Sequence, residues 1–240
     1  MKLQRYAEKI FSEVKITRDI LYATLPGYDE DHTPTELLLD VYEPDNDMEE
    51  NRRAMIFVHG GGFIGGTRNS GYPSIMCDTL AQYGYVCFNI DYRLFIKESR
   101  PSYAECAPYT ALDIEAARQF IVSRADEFGI DPTNISIGGG SAGAMASIDA
   151  CKIYPDYKSF ICLWGTYVDA QVSKKYVPTF LVHGTGDQIV PYEYSRAFLA
   201  RLESRGIACE LLTLPDAPHT AIKWLPDYEE PMIRFMNSVM

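Results

Sequence analysis

The chain has 240 residues, of which 47% are hydrophobic and 23% are charged, and its net charge at pH 7 is −11. This composition is typical of a globular protein that buries a core without disulfides or metals. The excess of acidic residues argues against nucleic acids and anionic membranes as partners. No run of about 18 apolar residues occurs, so no membrane-spanning segment is expected, and we predict one domain over residues 1–240.

The first fifteen residues and the cysteines lead to two predictions, one on local structure and one on the cellular compartment. Leu3, Tyr6, Ile10 and Val14 recur at helical spacing, which predicts an amphipathic helix over residues 2–13. The same stretch lacks the apolar core of a secretory signal, and the six cysteines are scattered through apolar segments without a CxxC pattern. These features predict a cytoplasmic protein with reduced thiols.

Apolar runs and helical patterns alternate along the rest of the chain. The predicted strands are residues 35–44, 54–60, 85–94, 134–140, 159–165, 178–184 and 208–215. The predicted helices are residues 109–128, 141–154, 192–206 and the stretch from about 226 to the end. This alternation predicts a mostly parallel sheet with helices on both faces, in which ligands bind beyond the carboxyl ends of the strands.

A Gly-x-Ser-x-Gly motif, Gly139 to Gly143, lies between a predicted strand and a predicted helix. In this context the serine sits on a strained turn that projects the hydroxyl of Ser141 into the crevice. A phosphate-binding loop is a weaker interpretation, because no Gly-Lys-Ser or Gly-Lys-Thr sequence is present. A serine hydroxyl is a poor nucleophile alone, so the motif predicts a basic partner.

His219 is the predicted base, and Asp187 is the predicted acid that orients it. Enzymes with this nucleophile turn have their triad in the chain order serine, acid, histidine. His219 follows both Ser141 and Asp187, and each of the two partners comes after a predicted strand. Asp216 and Asp169 are weaker candidates for the acid.

His183 precedes Asp187 by four residues at the end of the same predicted strand. We expect it to shape the turn that presents Asp187, and not to act as the base.

The glycine-rich stretch from His59 to Gly62 follows a buried strand, where bare backbone can approach a ligand. Attack on a carbonyl creates a negative oxygen that needs fixed donors. We therefore predict an oxyanion hole from the backbone N–H groups of Gly61, Gly62 and Ala142. His59 is expected to brace this loop through its ring.

Together, the segments IFVHGGGF, DYRL, DPTNISIGGGSAG, FLVHGTGDQIVP and APH resemble the α/β-hydrolase esterases with an HGGG oxyanion loop. These are the hormone-sensitive-lipase-like and related carboxylesterases, and the resemblance runs from about Leu37 to the end. It implies an α/β-hydrolase fold and ester hydrolysis through an acyl-enzyme. It also implies no cofactor, with the residues named above in the same roles. No metal site is expected either, because none of the four histidines is paired at ligand spacing.

Two features depart from the hormone-sensitive-lipase-like pattern. Gly140 stands where those proteins usually carry an aspartate, and the segments before His59 and between Trp164 and Thr179 are too short for their cap and lid. We therefore expect minimal or no lid, as in compact acetyl- and feruloyl-esterase-like hydrolases.

An open site has few walls for long acyl chains, so short acyl groups are expected. The substrate would be a small-molecule or carbohydrate ester, with acetylated or feruloylated carbohydrate and aryl esters as examples. Four aromatic residues are predicted to line the substrate site. Phe63 would wall the pocket, and Tyr92, Trp164 and Tyr167 could stack on sugars or aryl groups. A role in the core or at the surface stays the alternative for these residues.

Two other functions stay open from the sequence. The same residues could hydrolyse an amide or formamide, or the scaffold could bind a small molecule without catalysis. A homo-oligomer also stays open.

Overall fold

Eight strands form one sheet in the computed structural model, which describes residues 4–240. The strands are β1 (Val14–Pro26), β2 (Pro34–Pro44), β3 (Arg52–Val58), β4 (Val86–Ile90), β5 (Ile130–Gly140), β6 (Phe160–Leu163), β7 (Thr179–Gly184) and β8 (Cys209–Leu214). The helices are α1 (Tyr72–Gln82), α2 (Tyr103–Ser123), α3 (Ala125–Phe128), α4 (Ala142–Ile153), α5 (Tyr192–Glu203) and α6 (Leu225–Val239).

The strand order is β1-β2-β4-β3-β5-β6-β7-β8. β1 pairs antiparallel with β2, and β2 pairs antiparallel with β4. Every later pairing is parallel. The predicted mostly parallel sheet is therefore confirmed, and the carboxyl ends of β3, β5, β6, β7 and β8 meet at one edge.

Alternate residues of the central strands supply two hydrophobic cores, one on each face of the sheet. Ile56 and Val58 of β3 belong to the core that contains α2, α4 and α5. Met55 and Phe57 belong to the core that contains α1 and α6. Because side chains alternate along a strand, continuous apolar runs such as β3 serve both faces, which is why they lack an alternating pattern.

The predicted N-terminal helix over residues 2–13 is wrong for its described part, residues 4–13, which form turns and irregular backbone. Residues 1–3 lie outside the described part of the chain. Tyr6 has a φ of 67°, which interrupts a right-handed helix. The N–H groups of Tyr6, Ile10 and Phe11 donate to carbonyls at the end of α1. Tertiary hydrogen bonds thus replace the local bonds that a helix would make.

α2 begins at Tyr103, six residues before the predicted start at 109. Its first turn is closed by a capping box, in which Ser102 and Glu105 bond each other's side chain and backbone. Pro108 obscured this start because a proline disfavours helix in the residue before it.

Residues 164–178 join β6 to β7 without a helix or strand, in agreement with the predicted minimal lid. This segment lies against the body of the protein. Ala170 and Tyr176 are buried, and the Tyr176 hydroxyl donates to the Ile148 carbonyl at 3.0 Å. The edge where the parallel strands end is therefore left accessible.

Candidate active site

Ser141 lies on the turn between β5 and α4 with φ 55° and ψ −125°. This strained backbone is possible because bare glycines surround it. A Cβ on Gly143 would lie 2.2 Å from the Val58 carbonyl oxygen, and one on Gly165 would lie 2.2 Å from that of Ser141. The small residues of the motif thus let β3, α4 and the end of β6 approach the nucleophile turn.

Gly140 departs from the usual aspartate for a steric reason. A Cβ at this position would lie 2.8 Å from the Tyr72 ring, and the Tyr72 hydroxyl donates to the Gly140 carbonyl at 2.9 Å. Tyr72, the first residue of α1, therefore occupies the space that a side chain at position 140 would need.

The structure brings the three predicted triad residues together at the carboxyl edge of the sheet. His219 Nε2 lies 2.9 Å from Ser141 Oγ, and His219 Nδ1 lies 2.7 Å from Asp187 Oδ2. The Asp187 side chain is fully buried, while that of His219 is 17% exposed. The alternative acids, Asp169 and Asp216, are exposed and make no hydrogen bond to His219 in the described chain. This arrangement can pass a proton from a serine hydroxyl to an imidazole that a carboxylate holds in place.

Asp187 accepts four hydrogen bonds. Its Oδ1 accepts the backbone N–H groups of Ile189 and Val190 at 2.8 and 2.9 Å. Its Oδ2 accepts from His219 and, at 3.0 Å, from His183 Nε2. Burial alone would raise the pKa of Asp187, but these donors outweigh burial and hold its pKa well below the ordinary range. The residue is therefore an ionised carboxylate at neutral pH.

The glycine loop after β3 lies beside the nucleophile. A Cβ on Gly60 would lie 3.1 Å from the Cβ of Ser141. Gly61 and Gly62 have φ values of 119° and 63°. Within residues 4–240, the N–H groups of Gly61, Gly62 and Ala142 donate to no acceptor of the protein. These donors border the same cavity as Ser141 and are available to a ligand.

His59 contacts the loop as predicted, through its ring. His59 Nδ1 lies 2.6 Å from the Gly60 carbonyl oxygen, and the ring stacks on Tyr92 at 4.2 Å. Burial lowers the pKa of His59, which favours the neutral ring. The Tyr92 hydroxyl donates to the His59 carbonyl at 3.2 Å, so both rings hold the backbone of the loop in place.

A cavity of about 520 Å³ opens over Ser141 and His219. Of the four aromatic residues predicted to line it, only Tyr167 does so. Phe63, Tyr92 and Trp164 are at most 3% exposed and belong to the cores, so that part of the prediction is wrong. The reason is geometric, since each of these three side chains points into the body of the protein.

Other side chains form the cavity wall instead. Aromatic and apolar groups dominate, with hydroxyl groups between them: Ser70, Tyr72, Tyr103, Met145, Thr166, Ile189, Val190, Pro191, Tyr194 and Thr220. No aspartate, glutamate, lysine or arginine of the described chain lines it. Residues 189–191 could have been predicted to line the cavity because they follow the end of a strand, but no sequence pattern marks Tyr103 or Tyr194.

Within residues 4–240, no helix has the length and apolar character needed to cross a membrane.

Two family models match successive parts of the chain. Residues 39–153 match BD-FAE, and residues 154–237 match the prolyl oligopeptidase family. The first region contains the glycine loop and Ser141, and the second contains Asp187 and His219.

The chain is also similar to individual esterases. It is 27% identical to Esterase LipQ of Mycobacterium tuberculosis over 237 residues, which cover 77% of this chain and 54% of LipQ. The chain spans about half the length, or less, of the first curated relatives it matches.

Solved structures show the same fold. Thermogutta terrifontis esterase 2 phosphorylated by paraoxon superposes with a TM-score of 0.70 at 22% identity, over 97% of this chain and 96% of that chain. The same esterase has been solved with butyrate and with propionate bound. A truncated carbohydrate esterase from gut microbiota has a TM-score of 0.74 at 17% identity, over 98% of this chain and 99% of that chain.

Proposed function

Because this chain has the α/β-hydrolase fold and its curated relatives include several esterases, we propose that it is a serine carboxylesterase that acts on neutral esters with short acyl groups. The observation that carries the proposal is the continuous hydrogen-bonded series from Ser141 Oγ through His219 to Asp187, with distances of 2.9 and 2.7 Å. These three residues border or lie beside the cavity, and they follow the carboxyl ends of β5, β7 and β8.

In the first half of the reaction, Ser141 Oγ attacks the ester carbonyl carbon while His219 Nε2 takes the hydroxyl proton. The carbonyl oxygen becomes an oxyanion, which the N–H groups of Gly61, Gly62 and Ala142 stabilise. When the tetrahedral intermediate collapses, the bond to the alcohol oxygen breaks and His219 returns the proton to that oxygen. The alcohol leaves, and the acyl group stays on Ser141.

In the second half, a water molecule takes the place of the alcohol. His219 accepts its proton as the water oxygen attacks the acyl carbon, and the same backbone donors hold the oxyanion. Collapse of this intermediate breaks the bond to Ser141 Oγ, which recovers its proton from His219. Asp187 stays ionised throughout, because its four donors favour the carboxylate.

The uncharged cavity wall supports a neutral substrate. A carboxylate or ammonium group on the substrate would lose water without gaining a charged partner, which is costly. Tyr72, Tyr103, Tyr167 and Tyr194 offer rings and hydroxyl groups, which suit aryl groups and sugars. Acetylated or feruloylated carbohydrate and aryl esters are therefore the substrate classes we propose.

The short connection over residues 164–178 supports the preference for short acyl groups, because it adds no large apolar surface above the cavity. The propionate and butyrate bound to Thermogutta terrifontis esterase 2 are acids of this size.

Amide hydrolysis is the second candidate, and the match of residues 154–237 to the prolyl oligopeptidase family favours it. The same triad chemistry would apply, with an amine as the leaving group. Turnover of p-nitroacetanilide separates the two, and we expect release of p-nitrophenol from p-nitrophenyl acetate without release of p-nitroaniline from the anilide.

The test of the proposed function is hydrolysis of p-nitrophenyl esters from acetate to decanoate by the wild type and by Ser141→Ala. We expect the highest kcat/KM for the shortest esters and only background hydrolysis by the variant. A fluorophosphonate probe, read by mass spectrometry of the modified peptide, should label Ser141. Ser173→Ala, which removes an exposed serine hydroxyl, is the matched control and should retain full activity.

Three outcomes would contradict the proposal. Turnover that survives in Ser141→Ala would exclude this nucleophile. Rates that rise up to decanoate would exclude the short-acyl preference. A folded wild type that neither hydrolyses esters nor reacts with the probe would favour a non-catalytic binding protein.

The location and organisation of the protein also stay proposals. All six cysteines are unpaired, which supports a reducing compartment such as the cytoplasm. We also propose a single domain over residues 1–240. The assembly state is tested by the molar mass from size-exclusion chromatography with light scattering.

A further inference from the structure

Two imidazole rings share one oxygen of the proposed catalytic acid. Asp187 Oδ2 contacts His219 Nδ1 at 2.7 Å and His183 Nε2 at 3.0 Å. Only His219 reaches Ser141, and His183 is fully buried at the end of β7. The reaction described above uses His219 and leaves His183 without a role.

The neighbours of His183 fix which of its ring nitrogens carries the proton. Nε2 faces two acceptors, Asp187 Oδ2 and the Val190 carbonyl oxygen at 3.1 Å, so it must be the donor. Nδ1 faces Ser195 Oγ at 2.6 Å. In a neutral ring, Nδ1 is then the acceptor and the Ser195 hydroxyl donates to it.

The series continues from Ser195 to the cavity wall. Thr166 Oγ1 lies 3.3 Å from Ser195 Oγ, and both residues are buried. Since the Ser195 proton points to His183, the Thr166 hydroxyl is the donor in this bond. Thr166 also lines the cavity, so the hydrogen bonds run from the cavity wall through Ser195 and His183 to Asp187.

We propose that His183 and Ser195 are positioning residues for the catalytic acid. Ser195 contacts His183 Nδ1 and orients the ring so that its Nε2–H points at Asp187, and this N–H fixes Asp187 Oδ2 where His219 Nδ1 needs it. The proposal rests on the proposed function, because it assigns a role within that triad.

The physical reason lies in the geometry of the carboxylate. Backbone N–H groups of Ile189 and Val190 hold Oδ1, while Oδ2 accepts from the two imidazole rings of His219 and His183. Without the N–H of His183, Oδ2 would have one donor in a buried site, where each missing partner is costly. The carboxylate would then rotate or admit water, and His219 would spend less time in line with Ser141.

The charged and titratable groups around His183 are few. Asp187 faces Nε2, His219 reaches the same carboxylate from the β8 side, and Tyr192 of α5 packs its ring at 5.8 Å. Ser195 and the Val190 carbonyl, which contact the ring nitrogens, are uncharged, as is Thr213, the β8 partner of His183. A tautomer change in His183 would therefore be transmitted mainly to Asp187.

The first experiment reads the tautomer directly. Nitrogen-15 labelling of the four histidines resolves the ring nitrogens by NMR, and Ser195→Ala and His183→Gln assign the His183 signals. We expect wild-type His183 to carry a proton on Nε2, which faces two acceptors, and none on Nδ1. In Ser195→Ala we expect a mixture of tautomers or a doubly protonated ring. Protonated Nδ1 in the wild type, or an unchanged tautomer in Ser195→Ala, would overturn the proposal.

The second experiment measures kcat and KM for p-nitrophenyl acetate. His183→Leu removes the donor and should lower kcat about ten- to a hundredfold, while His183→Gln keeps an N–H and should recover most of it. Ser195→Ala should lower kcat about fivefold, with KM unchanged in all three. Equal losses in the Leu and Gln variants, or a loss confined to KM, would overturn the positioning role.

Ser159→Ala is the matched control for Ser195→Ala. Ser159 is also fully buried and donates to another hydroxyl, Ser136 Oγ at 2.8 Å. It directly precedes β6, at the edge of the sheet opposite the candidate active site. The Ser159→Ala variant should have a lower free energy of unfolding than the wild type but the same kcat. If it lowers kcat as much as Ser195→Ala does, the effect is structural and the proposal fails.

The two experiments separate this proposal from the proposed function. Absence of esterase turnover in the wild type would defeat the proposed function, while the NMR arm would still show whether Ser195 sets the tautomer of His183. Normal turnover with no effect of the His183 and Ser195 variants would defeat only the positioning role.

Discussion

Backbone conformation at single glycines decides whether the loop after β3 can serve as an oxyanion hole. A Cβ on Gly61 would lie 1.9 Å from the Gly65 carbonyl oxygen, so any side chain forces the loop to move. At Gly62 the nearest atom to a Cβ lies 3.7 Å away, and only the left-handed φ of 63° opposes a side chain. A side chain at position 61 would therefore be opposed by a steric clash, and one at position 62 only by backbone strain, although both residues carry a predicted donor.

We expect Gly61→Ala to lower kcat/KM by on the order of a hundredfold or more, the size of losing an oxyanion donor. Gly62→Ala should keep most activity and cost about 1 kcal/mol of stability through left-handed strain. Gly206→Ala, at φ 71° with no atom within 4 Å of the new Cβ, is the control for that strain. Kinetics and thermal melts of the three variants check this, and equal activity losses at positions 61 and 62 would contradict it.

The buried carboxylate of Asp187 implies a pH dependence of stability. Its folded-state pKa lies below the unfolded value of about 3.9, so its ionised form stabilises the fold above about pH 4. This stabilisation is lost as the pH falls below that value toward the folded-state pKa. Urea unfolding of the wild type and Asp187→Asn should therefore differ most near neutral pH and converge in acid. A difference that is constant with pH would contradict the assignment.

Among the elements, β4 and α2 are joined by an ion pair whose carboxylate is buried. Arg93, which follows β4, contacts Asp113 of α2 through its backbone N–H and its guanidinium, at distances from 2.6 to 3.1 Å. Asp113 is fully buried, and the guanidinium also donates to the Pro26 carbonyl at the end of β1. The DYRL segment thus holds three elements together, which gives a structural reason for this motif.

Asp113→Ala should destabilise the protein by about 3 kcal/mol, because Arg93, whose side chain is only 13% exposed, loses its carboxylate partner. Glu127→Ala is the control, since it breaks the Arg124–Glu127 pair, whose side chains are 36% and 56% exposed. That pair should be worth less than about 1 kcal/mol. Chemical denaturation of both variants tests the contrast, and similar losses would show that burial does not set the cost.

At the scale of the whole molecule, the two cores enclose nearly every thiol. Cys77, Cys87, Cys106, Cys151 and Cys162 are buried, and only Cys209 is partly exposed. Burial also raises the pKa of Cys209, so even this thiol is a weak nucleophile at neutral pH. A chromogenic disulfide reagent should therefore modify no more than one thiol, slowly, in the native protein and all six in denaturant. Fast reaction of two or more native thiols would contradict the closed cores.

Much of the fold followed from sequence because the strands of this sheet are buried on both faces. Continuous apolar runs predicted β3, β4, β6 and β7, and glycine and proline marked their ends. β1 was missed because it is an edge strand, and most of its residues are exposed or only half-buried. The N-terminal segment was misassigned because its helical spacing was overridden by backbone bonds to the end of α1.

The strand-end positions of Ser141, Asp187, His219 and the glycine loop could be inferred from the sequence, because each depends on local chemistry and on the rule that parallel strands end together. The side chains that surround these residues could be identified only once the elements were packed together. Tyr103 and Tyr194 reach the cavity while Phe63, Tyr92 and Trp164 pack inward, and His183 joins His219 on one carboxylate oxygen. Side chains beyond a strand end have no periodicity, so their directions depend on packing between elements far apart in the chain.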